Sequence, residues 1–227
     1  MLSETLSKTI LFAGHYGSGK TNMALALAVE LKKAGRDVTV IDLDIINPYF
    51  RLADGSERLA AHGIDHIAPM YANTNVDIPV LPPKVGALID SYEGTLIIDV
   101  GGDDTGAAAL GGFSKAITAR GYEMLLAVNC YRPFTGTQGE AMDVAAQIEH
   151  ASHLKFTGLA ANPNLGRETT AETITTALPF TKALSEETGL PIVLTAVRKD
   201  LAEAVAPEIS GEILEIEILE KPGWEIY

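Results

Sequence analysis

Thr9-Ile10-Leu11-Phe12-Ala13-Gly14-His15-Tyr16-Gly17-Ser18-Gly19-Lys20-Thr21 runs from a short apolar stretch into a glycine-rich turn that ends in Lys-Thr. The turn satisfies the pattern GxxxxGK[ST], and the residues after it, Ala24, Leu25, Leu27, Ala28 and Leu31, recur at helical spacing. Strand, loop and helix in that order are the context a phosphate-binding loop needs. Gly14, Gly17 and Gly19 let the backbone wrap with its N–H groups pointing inward. Lys20 is placed to neutralise β/γ-phosphate charge, and the Thr21 hydroxyl to ligate Mg²⁺. His15, Ser18 and Asn22 complete the expected contact set around the phosphates.

Two acidic elements lie at the ends of later apolar runs. Thr95-Leu96-Ile97-Ile98-Asp99-Val100-Gly101-Gly102 reads as a buried strand whose Asp99 faces the Mg²⁺ shell, with Gly102 offering its N–H to a γ-phosphate. Val38-Thr39-Val40-Ile41-Asp42-Leu43-Asp44 brings two carboxylates to the tip of the second strand. Side chains alternate along a strand, so Asp42 and Asp44 share a side, and one of them meets the metal or the attacking water.

Around these motifs, apolar runs alternate with helix-period stretches. The runs are 9–13, 38–43, 64–68, 95–100, 124–129, 156–161 and 192–197; the helical stretches are 21–34, 84–92, 107–120, 139–151 and 171–188. Such alternation predicts an α/β fold of three layers, a mostly parallel central sheet of about seven strands with helices on both faces. Leu214, Ile216 and Ile218 alternate with Glu215, Glu217 and Leu219, which suggests a further half-exposed edge strand. The proline-rich stretch 73–83 reads as an extended surface loop. With no linker or repeat in view, residues 1–227 are expected to form a single domain.

Composition narrows the function. The chain has 47% hydrophobic residues, and 17 Lys and Arg stand against 30 Asp and Glu, a net charge of −13. An acidic surface of that size repels phosphate backbones and anionic headgroups, so neither nucleic acid nor membrane is an expected partner. The single cysteine, Cys130, excludes an internal disulfide and a CxxC metal site. The run Ile10–Ala13 is too short for a signal segment and follows Glu4, so a cytoplasmic location is expected.

The motif order, GxxxxGKT, then VIDxDxxxP, then four hydrophobics before DxxG, resembles the CobQ/CobB/MinD/ParA nucleotide-binding family, a P-loop NTPase family, over roughly residues 9–197. The resemblance implies ATP and Mg²⁺ as cofactors, with Lys20 and Thr21 on phosphate and metal. By it Asp44 matches the catalytic aspartate of the first switch segment, and Asp99 with Gly102 the second. It also implies that the phosphate-loop strand and the strand carrying Asp99 are neighbours, and that an asparagine after the sixth strand, Asn162, contacts adenine. An Asn favoured in a turn before proline would explain Asn162 equally. No guanine-reading [NST]KxD tetrapeptide is present, which separates the chain from the nickel-insertion GTPases that its GSGKT half also resembles.

The pattern departs at one place. Partitioning-type members carry a signature lysine where this chain has His15, and a glycine where it has Tyr16. That departure suits an ATP-using small-molecule enzyme, while the full motif order and the aromatic first switch point to the expected activity, a slow ATPase whose loops report the bound nucleotide, ATP or ADP, to a protein partner. The alternative is an ATP-using small-molecule enzyme of the dethiobiotin synthetase or cobyrinate amidase type. A homodimer remains open under either. Asn47-Pro48-Tyr49-Phe50-Arg51 would be the first switch, and Asp103-Asp104-Thr105 an acidic extension of the second. Arg132 contacts phosphate or substrate, or else caps a helix. His62, His66, His150 and His153 show no metal spacing and read as ordinary surface residues.

Overall fold

The computed structural model describes residues 5–43, 52–68, 84–102 and 104–217. Its strands are β1 (Thr9–Ala13), β2 (Val38–Leu43), β3 (Asp65–Ile67), β4 (Thr95–Val100), β5 (Glu123–Val128), β6 (Gly158–Ala161), β7 (Ile192–Arg198) and β8 (Glu212–Ile216). They form one sheet in the order β3-β2-β4-β1-β5-β6-β7-β8, and every neighbouring pair is parallel. Seven interior apolar runs and the alternating segment near the end thus account for all eight strands. The strands carrying the phosphate loop and Asp99 are adjacent, as the family resemblance implied.

Parity decides which face each residue takes. Ile10 and Phe12 of β1 enter one core with Val38 and Val40 of β2 and Ile97 of β4; Leu11 and Ala13 enter the opposite core with Ile41, Leu43, Leu96, Ile98 and Val100. The first core is closed by α1 (Lys20–Lys33), which contributes Met23, Leu27 and Leu31. Most of the circumference of α1 is buried, because the sheet covers one side, while α2 (Leu52–Ala61) and the β8 edge come close elsewhere. Where α1 approaches β8, partial desolvation and then the carboxylates of Glu212 and Glu215 push the Glu30 carboxyl above its ordinary value. The second core is closed by α3 (Lys84–Ser91), α4 (Asp104–Gly111), α5 (Ser114–Arg120), α6 (Gln138–Ser152) and α7 (Ala171–Thr188).

Helix ends follow local chemistry. Thr137 and Glu140 form a capping box that starts α6, and Thr170 with Thr173 starts α7 in the same way. The helix expected over 107–120 is in fact two, α4 and α5, separated at Gly112-Phe113. A β-carbon on Gly111 would come within 2.7 Å of the Ala151 carbonyl oxygen, so the break coincides with a close approach of α4 to the end of α6. Helix α2 and the short α8 (Ala202–Val205) were not anticipated. The extended loop expected at 73–83 lies outside the described residues, as do Asp44 and the first-switch segment 47–51. No helix among the described residues is long and apolar enough to cross a membrane.

Leu27 is fully buried at the centre of the first core. Leu27→Ala is expected to lower the unfolding free energy by about 2–5 kcal/mol. Urea titration measures this, and a loss below about 1 kcal/mol would show that α1 is not the clamp on that face.

Candidate nucleotide site at the carboxyl edge of the sheet

Open parallel sheets collect ligands beyond the carboxyl ends of their strands, near the point where the strand order reverses. Here that point is β1, and the loop after it is the glycine-rich turn. A β-carbon on Gly14 would meet the Ala127 carbonyl oxygen at 2.5 Å, so only glycine lets this loop leave β1 against β5. Gly19 then takes a left-handed conformation, φ 93°, and caps α1. Ser18 N–H donates to the His15 carbonyl at 3.2 Å, closing the loop on itself.

Lys20 is almost completely buried, and its Nζ donates to the His15 carbonyl at 3.1 Å. A buried ammonium is tolerated only among acceptors, and the loop supplies at least one of them. Thr21 Oγ1 donates to Asp99 Oδ2 at 2.5 Å. This contact follows from parity, since Asp99 points to the α1 face of β4. Asp42 points to the same face of β2 and is the direct register partner of Asp99. Both carboxylates are buried. Ser18 Oγ is buried without a hydrogen-bond partner among the described residues.

Gly102 lies against the same loop. A β-carbon there would sit 2.8 Å from the Tyr16 backbone nitrogen and 3.1 Å from Lys20 Nζ, so any larger residue would force the two loops apart. His15 and Tyr16 form the outer rim. Tyr16 is 58% exposed, and the His15 ring packs on Phe134 at a centroid distance of 4.9 Å.

Asn162 is held more firmly than a turn residue needs to be. Its Nδ2 donates to the Ser18 carbonyl at 2.8 Å, its side chain lies against Gly19, and its N–H donates to the Val128 carbonyl. The residue pins the phosphate loop to the end of β6. Asn129 does similar work one strand earlier and was not anticipated. Its Nδ2 donates to the Asn164 carbonyl at 2.8 Å, and its Oδ1 accepts from Tyr131 N–H. An asparagine directly following an apolar strand is the only sequence signal either residue offers.

Arg132 does not cap α6, since Thr137 does. It lies over Gly17 instead. His66 also differs from expectation. It is half-buried, with Nδ1 2.8 Å from Ser56 Oγ, and lines a small cleft with Thr21, Leu25, Asp42, Gly55 and Asp99. No cluster of three or more metal-ligating side chains occurs among the described residues.

A family model for the CobQ/CobB/MinD/ParA nucleotide-binding domain matches residues 10–218. The chain belongs to this family. As a CobQ/CobB/MinD/ParA domain it has the fold of P-loop NTPases, and solved structures agree. FtsY from Mycoplasma mycoides superposes with a TM-score of 0.56 at 18% identity, covering 85% of this chain and 60% of that one. The cell division protein FtsY of Thermotoga maritima gives 0.55 at 18%, covering 83% and 61%. The signal recognition particle receptor FtsY of Elizabethkingia anophelis, in complex with GDP, gives 0.55 at 18%, covering 84% and 57%. The chain thus spans about three fifths of the length of these structures. No curated protein matches it.

Two outcomes test this geometry. Asn162→Ala leaves the Ser18 carbonyl without its amide donor and is expected to cost about 1–3 kcal/mol of stability, read by urea titration; an unchanged midpoint would mean that the loop holds itself. Burial pushes the His66 imidazole below its ordinary value of 6.5, so the unfolded chain takes up this proton more readily than the folded one. Stability from this group is therefore complete above that pH and is lost as pH falls below it. Between pH 7 and pH 5 the Tm of the wild-type protein should fall more steeply than that of His66→Gln, and equal slopes would contradict the burial.

Proposed function

We propose that the protein binds ATP with Mg²⁺ at this loop, hydrolyses it slowly, and uses the nucleotide state of the loops around Asp44 and Gly102 as a switch read by a protein partner. The observation that carries the reading is the set Lys20, Thr21 and Asp99: a buried ammonium held inside the loop, and a hydroxyl bonded to a buried carboxylate at its base. The residues fit the groups they would hold. The orphaned Ser18 hydroxyl faces no protein partner among the described residues, and the adjacent carboxylates of Asp42 and Asp99 favour a cation nearby.

In this reading the backbone N–H groups of residues 14–20 bind the phosphates, and Lys20 lies where β/γ-phosphate charge would gather. The Thr21 hydroxyl and the Asp99 carboxylate would hold Mg²⁺, which would supply further neutralisation of phosphate charge. Gly102 presents its N–H to the γ-phosphate. Asp44, placed by its match to the family motif, orients a water for in-line attack on phosphorus, with the diphosphate leaving. Departure of the γ-phosphate frees Gly102, and the contact of Gly102 with the Tyr16 backbone passes the change to the exposed rim.

ATP rather than GTP is favoured by the missing [NST]KxD. Asn162 contributes its Oδ1 to the base edge while its Nδ2 holds Ser18. A second reading, an ATP-using small-molecule enzyme whose co-substrate accepts the phosphoryl group, is favoured by His15 standing where partitioning-type members carry the signature lysine.

Calorimetric titration with ATP and GTP, with and without Mg²⁺, together with light scattering for mass, is the direct test. Mg²⁺-dependent ATP binding that disappears in Lys20→Ala is expected. Unchanged affinity in that variant would sink the assignment, and GTP preference would overturn the base reading. Turnover that requires an added metabolite would favour the co-substrate.

A further inference from the structure

Residues 129–137 join β5 to α6, and side chains fix this loop at several points. Asn129 ties its start to the Asn164 carbonyl. Thr135 Oγ1 donates to the Asn129 carbonyl at 2.8 Å, Tyr131 Oη donates to the Thr173 carbonyl at 2.6 Å, and the Thr137–Glu140 capping box closes the far end. Phe134 is held at φ 63° with its ring 61% exposed and packed on His15. A non-glycine residue in that conformation persists only where its surroundings impose it.

The loop therefore aims Arg132. Its Nε and Cδ lie 3.7 and 3.8 Å from the point a β-carbon on Gly17 would occupy, so the side chain runs along the outside of the phosphate loop. Among the described residues no hydrogen bond or ion pair engages this guanidinium. The guanidinium thus stands beside Gly17, two residues before Gly19, the N-cap of α1. Positive charge near a helix start is disfavoured unless an anion joins it.

We propose that Arg132 is a phosphate-binding residue: when a nucleoside triphosphate occupies the loop, the Arg132 guanidinium donates to its phosphate oxygens in cis, as a second fixed cation opposite Lys20. A triphosphate brings more negative charge than one buried ammonium neutralises, and a planar guanidinium matches phosphate oxygens in two-point contact. The Phe134–His15 contact keeps the arginine registered on the loop. The inference rests on the nucleotide reading above and adds to it the residue that completes the charge.

The experiment compares wild type, Arg132→Ala and Arg132→Lys by calorimetry with hydrolysis-resistant ATP and GTP analogues plus Mg²⁺, and with the matching monophosphates. For the better triphosphate, Arg132→Ala is expected to weaken binding at least about 10-fold and Arg132→Lys to recover part of it, with the monophosphate unchanged. Triphosphate affinity within about twofold of wild type in Arg132→Ala overturns the proposal. So does equal weakening of triphosphate and monophosphate in both variants, the mark of a disturbed loop. If the wild-type protein binds neither triphosphate, the nucleotide reading itself fails and takes this one with it.

Discussion

Strand parity is the constraint on which the site depends. In a sheet buried on both faces, each strand residue belongs to one core or the other, and a slip of one position exchanges them all. Because Ile10, Phe12, Val40 and Ile97 must meet α1, Asp42 and Asp99 must point toward α1 as well. The hydroxyl of Thr21, on the first turn of that helix, then finds Asp99 without any adjustment. The apolar packing that stabilises the fold and the polar contact that prepares the metal position are one arrangement seen from two ends of the same strands.

The carboxyl edge adds a second level of order, in which loops from different strands hold one another. Asn162 fixes the phosphate loop from β6, Asn129 fixes the loop after β5 to the loop after β6, and Gly102 admits the loop after β4 to within contact of Tyr16. Four strand ends are thereby locked around one small volume. Such preorganisation matters for phosphate chemistry, where the protein contributes position and charge more than covalent participation.

Much of this was legible in the sequence, and the rest was not for identifiable reasons. β-branched runs and the GxxxxGKT turn are local signals, so the strands, α1, α6 and α7 could be read directly, while the adjacency of the two motif strands came from the family resemblance. The helix over Leu52–Ala61 was hidden because Asp54, Gly55 and Ser56 are weak helix formers, and tertiary contact overrides that preference. His66 looked like a surface residue because nothing nearby in sequence reveals the cleft that buries it. The bond from Asn162 to Ser18 spans 144 positions, and no spacing rule reaches so far. Arg132 could be singled out as a loop cation, but its place over Gly17 depends on three tethers contributed by Asn129, Tyr131 and Thr135.

One feature of the sheet bears on how the protein behaves in a crowded solution. Among the described residues the all-parallel sheet ends in two margins with no strand beyond them, and such a margin can recruit a strand from another molecule. At one margin β3 is only three residues long and presents Asp65 outward. At the other, β8 buries Leu214 and Ile216 but leaves Glu212 and Glu215 exposed, close enough to Glu30 to disturb its ionisation. A second copy aligning its own β8 there would bring like charges together in a region already crowded with carboxylates. Negative charge so placed works as a guard against runaway strand addition, a task separate from nucleotide chemistry.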